Sequence, residues 1–151
     1  MPTVEIDVSA RKQFKPYLER TTRWASVVAH RRAGKTVCCI MDLIVRAGEC
    51  TKREPRFAYI APTYGQAKDV AWVYLKDLTS RIPGMKYSES ELSAIFPHNG
   101  ARIRLYGAEN YDRLRGLYLD GCIIDESGDI DPRAWPEVIR PALSDRKGWS
   151  T

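Results

Sequence analysis

A chain of 151 residues, 44% hydrophobic and 28% charged, fits one globular domain with an ordinary core rather than a disordered or fibrous chain. No apolar run approaches the roughly 20 residues of a membrane span, and Met1-Pro2-Thr3-Val4-Glu5 lacks the basic-then-apolar pattern of a signal peptide. Lysine and arginine total 24 against 19 acidic residues; the net charge of +5 permits nucleic-acid binding without establishing it, because the basic residues are dispersed.

In chain order, residues 24–30 form a short apolar run that ends in a basic, glycine-containing turn, the pattern of a buried parallel strand. Val37, Ile40, Met41 and Ile44 then recur at helical spacing, predicting a helix that stops near Gly48. Cys38, Cys39, Cys50 and Cys122 contain no C-x-x-C pair, so buried thiols in a reducing compartment are expected rather than a zinc site. Residues 57–60 are a second buried strand. Thr63 and Gln66 make a capping box for a helix with Ala67, Val70, Ala71, Tyr74, Leu75, Leu78 and Ile82 on one face, stopped by Pro83-Gly84. Residues 93–96 and 102–106 form a hairpin across Pro97-His98-Asn99-Gly100, with Asn-Gly supplying positive φ angles. Residues 119–124 are another buried strand. Asp131-Pro132 opens a helical segment that Pro136 and Pro141 are expected to break. The order predicts a mostly parallel α/β sheet flanked by helices.

Ala29-His30-Arg31-Arg32-Ala33-Gly34-Lys35-Thr36 matches the phosphate-binding loop G-x-x-x-x-G-K-[ST], with alanine for the first glycine. Backbone N–H groups of such a loop and of the following helix face phosphates. Lys35 supplies a mobile charge for the β- and γ-phosphates, and the Thr36 hydroxyl can ligate Mg²⁺. About 90 residues later, with a strand–helix unit between them, an apolar strand delivers Asp125-Glu126, the layout of nucleoside triphosphatases. Asp125 would hold the metal and Glu126 would activate the attacking water. These two motifs predict ATP and Mg²⁺ as cofactors. Arg31, Arg32, Arg113 and Arg115 are candidate charge stabilisers, solvated arginines being the better reading for Arg113 and an even alternative for Arg115. His98 is expected at the surface, His30 beneath the loop, and Trp24, Trp72, Trp135 and Trp149 in the core. Gln13 and Phe14 suit either an adenine contact or an ordinary N-terminal helix.

Four segments in this order carry a wider resemblance: residues 28–36, Ala61-Pro62-Thr63-Tyr64-Gly65-Gln66-Ala67-Lys68, Leu114-Arg115-Gly116-Leu117-Tyr118-Leu119-Asp120-Gly121 with Asp125-Glu126, and residues 140–149. Together they resemble the N-terminal ATPase domain of large terminase subunits of tailed double-stranded DNA bacteriophages. The resemblance implies a phosphate-loop ATPase fold of the class with an additional catalytic glutamate (ASCE). It also implies a homo-oligomeric ring, a pentamer, working at a procapsid portal in the host cytoplasm. Partners would be double-stranded DNA, the portal and the small terminase subunit. Carried over by residue, Arg31 or Arg32 is the Walker A arginine, Asp125 and Glu126 are the Walker B aspartate and catalytic glutamate, and Arg115 is a finger into the neighbouring subunit. The family continues after the Gly148-Trp149 segment with a central strand, a Thr-Pro coupling motif and a nuclease domain. Residues 1–151 are therefore expected to be one ATPase domain, truncated before the coupling motif, with the sheet incomplete at its C-terminal end. A helicase-like nucleic-acid-dependent ATPase and a non-catalytic fragment that only binds DNA or partner subunits are the alternatives.

Overall fold

The apolar runs pair into one sheet with helices on both faces. The computed structural model describes residues 11–30 and 32–151. Along the chain come α1 (Lys15–Leu18), α2 (Lys35–Glu49), β1 (Arg56–Ala61) and α3 (Tyr64–Gln66). A π-helical turn (Ala67–Ala71), α4 (Trp72–Thr79), β2 (Lys86–Ser88), β3 (Ser93–Ile95) and β4 (Arg102–Gly107) follow. A 3-10 segment (Ala108–Leu114), β5 (Gly121–Ile124), a second π turn (Trp135–Ile139), α5 (Arg140–Ser144) and β6 (Trp149–Ser150) complete the order. The sheet runs β2-β3-β4-β1-β5-β6. Strands β4, β1, β5 and β6 are parallel, and β3 and β2 add an antiparallel edge. This is the expected architecture.

Burial on both faces explains why β1 is a continuous apolar run. Phe57 and Tyr59 join Ile40, Leu43, Ile44, Trp72 and Leu75 from α2 and α4 on one face. Ala58 and Ile60 join Leu119, Val138, Ile139 and Leu143 on the other. The β3–β4 turn closes with the Phe96 N–H donating to the Ala101 carbonyl (2.9 Å), and Gly100 has φ +70°. Asn99 has a different task from the one expected: its Nδ2 donates to the carbonyls of Ala47 (2.8 Å) and Cys50 (3.1 Å). With His98 Nε2 2.6 Å from the Gly48 carbonyl, the turn caps the C-terminus of α2.

Several local expectations need correction. The 24–30 run is not a regular strand: Trp24 alone bridges to Ser150, and Trp24 and Val28 are 42% and 94% exposed. The neighbour that pairs with it, β6, has two residues, so ladder bonds stop at Ser150 N–H to Arg23 and Ala25 N–H to Ser150 (both 3.0 Å). A strand is made by its partner, and residues 26–30 have no ladder partner among the described residues. β6 itself lies between β5 and the Trp24 segment.

Thr63 caps as expected, its Oγ1 accepting the Gln66 N–H (3.2 Å). The π turn then adds width to the helix and rotates the face that follows. Val70 and Tyr74 point outward, 47% and 40% exposed, while Trp72 takes a core place. Pro136 and Pro141 do not break their helix, because the second π turn lies where Pro141 would otherwise strike the carbonyl four residues back. His30 is exposed rather than beneath the loop. Phe14 fills that place, packed against Ala33 and Cys38, and so is not free to stack on an adenine.

Candidate active site

Open parallel sheets place their ligand crevices outside the C-terminal strand ends. Here β5 delivers Asp125 and Glu126, and the 24–29 segment leads alongside toward Gly34 and the start of α2. Between them lies a cleft of about 450 Å³ lined by Ala29, Lys35, Thr36, Tyr59, Asp125 and Glu126, with Trp24 and Trp135 at its rim. The two indoles meet edge to face at 5.4 Å.

The loop conformation follows from its residues. Gly34 adopts φ +89° just before α2, a left-handed geometry that a side chain resists. Gly34 at the N-cap has no side chain to cap α2, which leaves its first-turn N–H groups without a side-chain cap among the described residues. Arg32 also has positive φ (64°). Its carbonyl accepts a bond from Arg11 Nη1 (3.2 Å), and its side chain does not line the cleft. Arg31 lies outside the described residues.

Asp125 is held on both oxygens. Oδ1 accepts the Glu126 N–H at 3.0 Å, and Oδ2 accepts the Tyr59 hydroxyl. Burial, then the Asp125 charge, push the Tyr59 phenol far above its ordinary value, so it stays protonated and donates; a contact from the Thr36 hydroxyl works the other way. Glu126 sits at φ +48°, exposed at the cleft edge. Tyr59 escaped the sequence reading because its polar tip is hidden in an apolar strand run. The only signal was a hydroxyl among Phe57, Ala58 and Ile60 on the strand next to the acidic one.

The same helix is anchored at its middle. Asp42 is 4% exposed and accepts from Arg20 Nη2 (2.9 Å), Arg46 Nε (2.9 Å) and the Tyr17 hydroxyl (3.2 Å). Arg20 also donates to Thr151 Oγ1 (3.1 Å), tying α2 to the segment next to β6. Arg115 stands apart: its guanidinium grips Asp112 Oδ1 through Nε (3.0 Å) and Nη2 (2.9 Å) and lies 3.9 Å from Glu137. It does not line the cleft.

Compared with known proteins, the chain matches no family model. Over 43 residues it is 46% identical to the large terminase subunit of Thermus phage G20c, a stretch covering 28% of this chain and 9% of that protein. The large terminase ATPase domain of Thermus phage P74-26 aligns with 95% of this chain and 68% of its own, at a TM-score of 0.72 and 22% identity. The fold is that of a large-terminase ATPase domain. The large terminase of another thermophilic bacteriophage, solved in complex with ADP, aligns with 81% of this chain and 31% of its own, at a TM-score of 0.66 and 19% identity. The chain thus spans a minor part of that terminase. Within the terminase fold, Lys35, Thr36, Asp125 and Glu126 share one cleft, whereas Arg32 and Arg115 lie outside it.

Proposed function

We propose that this chain is the ATPase domain of a large terminase subunit, hydrolysing Mg-ATP to drive double-stranded DNA into a procapsid. The observation that carries the reading is the convergence of Lys35 and Thr36 with Asp125 and Glu126 on one cleft at the strand ends. In this reading Lys35 and the open N–H groups of α2 bind the phosphates. Glu126, on the residue after the fixed carboxylate, orients a water and takes its proton.

The donor set suits Mg²⁺: Thr36 offers a hydroxyl and Asp125 a carboxylate, both hard oxygens. When bound, Mg²⁺ neutralises charge building on the phosphates. Arg31 is the remaining loop candidate for the Walker A arginine, and Arg115 would act on a neighbouring subunit in a ring, a pentamer, at the portal. DNA and the small terminase subunit complete the proposed partners, in the host cytoplasm.

Binding of the slowly hydrolysed analogue ATPγS with Mg²⁺ tests this, with the native chain set against Lys35→Ala. Saturable binding weakened at least about 10-fold by the substitution is expected, as for one lost charge-assisted contact. Equal affinity in the two proteins refutes a phosphate site at Lys35.

A further inference from the structure

Among the described residues the Asp125 carboxylate has two partners, and they differ in kind. The Glu126 N–H on Oδ1 comes from the next residue and follows the backbone (3.0 Å). The Tyr59 hydroxyl on Oδ2 comes from the neighbouring strand, 66 residues away in the chain. Tyr59 itself is 2% exposed, and its ring belongs to the core that β1 shares with α2. The ring therefore cannot swing away, and its hydroxyl marks a fixed point at the floor of the cleft. Register places it there: Tyr59 pairs with Ile123, and Ile60 with Ile124, so the hydroxyl reaches the first residue beyond the end of β5.

A carboxylate with both oxygens tied cannot rotate, yet each oxygen keeps lone pairs for a further partner. Groups that orient a metal-binding carboxylate tune metal affinity without touching the metal. Resting on the reading of this cleft as a Mg-nucleotide site, we propose that Tyr59 is a positioning residue: its hydroxyl holds Asp125 in the orientation that a Mg-nucleotide meets. Tyr59 sets how strongly Mg²⁺ strengthens nucleotide binding, and it contributes nothing to the metal-free binding made by Lys35 and the α2 N-terminus.

The test is the ratio of ATPγS affinity in Mg²⁺ to that in EDTA, measured by calorimetry on the native chain, Tyr59→Phe, Asp125→Asn and the double variant. Phenylalanine keeps the ring, and a thermal melt checks that the fold is retained. Tyr59→Phe should lower the ratio about 10-fold, the usual effect of losing such a partner, with EDTA affinity unchanged. Asp125→Asn should lower it too, and adding Tyr59→Phe to that background should change nothing more, because the tyrosine acts through the carboxylate. An unchanged ratio, equal losses with and without Mg²⁺, or additive losses in the double variant would each overturn the proposal. Native binding with an unchanged ratio sinks this proposal alone. No native binding in either buffer sinks the cleft reading and this proposal with it.

Discussion

Replacing Asp42 by alanine should be the most damaging single truncation on α2. The carboxylate is 4% exposed and balances Arg20, whose side chain is 6% exposed, at 2.9 Å. Removing it strands the Arg20 guanidinium, whose Nε has no hydrogen-bond partner among the described residues, in a buried place. Arg46 is 27% exposed and can turn toward solvent, so it adds little to the loss. Breaking a buried pair in this one-sided way costs about 3–5 kcal/mol. Against a total stability of roughly 5–15 kcal/mol, that is about a fifth at the least. At about 2–4 °C per kcal/mol for a chain of this size, the melting temperature should fall by roughly 6–20 °C. Urea and thermal unfolding followed by circular dichroism measure both quantities, with the urea slope checking that the unfolded state is unchanged. The pair Arg20→Met with Asp42→Leu removes both charges, and should recover most of the loss because nothing buried is left uncompensated. A cost below about 1 kcal/mol for Asp42→Ala, or a pair as unstable as the single variant, would refute the buried-charge argument.

Four further outcomes can be checked. Glu126→Gln keeps the shape but not the base, and steady-state ATP hydrolysis should fall by about 10²–10⁴-fold while ATPγS still binds; equal rates would remove Glu126 from the chemistry, and no hydrolysis by either protein favours a non-catalytic role. Mixing Arg115→Ala with Lys35→Ala subunits should restore some hydrolysis if the arginine serves a neighbour, whereas a mixture no better than either variant ends the in-trans assignment. Burial raises the thiols of Cys38, Cys39 and Cys122 from 9.0 to about 12, 11 and 12, so the stability this represents is complete below pH 9 and lost as pH rises through those folded values; the urea midpoint should therefore drop across that alkaline range, and a flat profile would be inconsistent with it. Gly121→Ala drives a methyl into the Trp149 indole and should cost about 1–3 kcal/mol, while Gly128→Ala, with open space around it, should change little; equal melting temperatures for the two would deny the close β5–β6 contact.

Local chemistry carried much of this molecule in its residues. The Thr63 cap and the Gly100 turn each sit where the side chains require them. Lys35, Thr36, Asp125 and Glu126 were legible as a set because strand–loop–helix and strand–acid patterns place them at the same sheet end. What local pattern could not supply was a partner. The 24–30 run is apolar enough for a strand, but pairing depends on β6, which is distant in sequence. The π turn at Ala67–Ala71 turns Tyr74 out and Trp72 in, a rotation invisible to a constant helical period. Tyr59 and Asp42 each gain their role from residues far along the chain, Asp125 in one case and Arg20 in the other.

These two long-range contacts bear on how a strained site can persist. Arg32, Gly34 and Glu126 all have positive φ, and the two that are not glycine cost about 1–3 kcal/mol each. None of these three residues is buried, so the cleft rim supplies little to offset that cost. The compensation lies one layer below it. Asp42 fixes the middle of α2, and Tyr59 fixes the first residue beyond β5, each through a buried side chain. α2 is therefore held from its centre while its first turn stays uncapped and open to a ligand. A capping side chain at that first turn would steady the helix and occupy the N–H groups that the proposed phosphate site uses. Anchoring the helix from below avoids that conflict, and it makes Asp42 a determinant of stability and Tyr59 a determinant of geometry within a single sheet end.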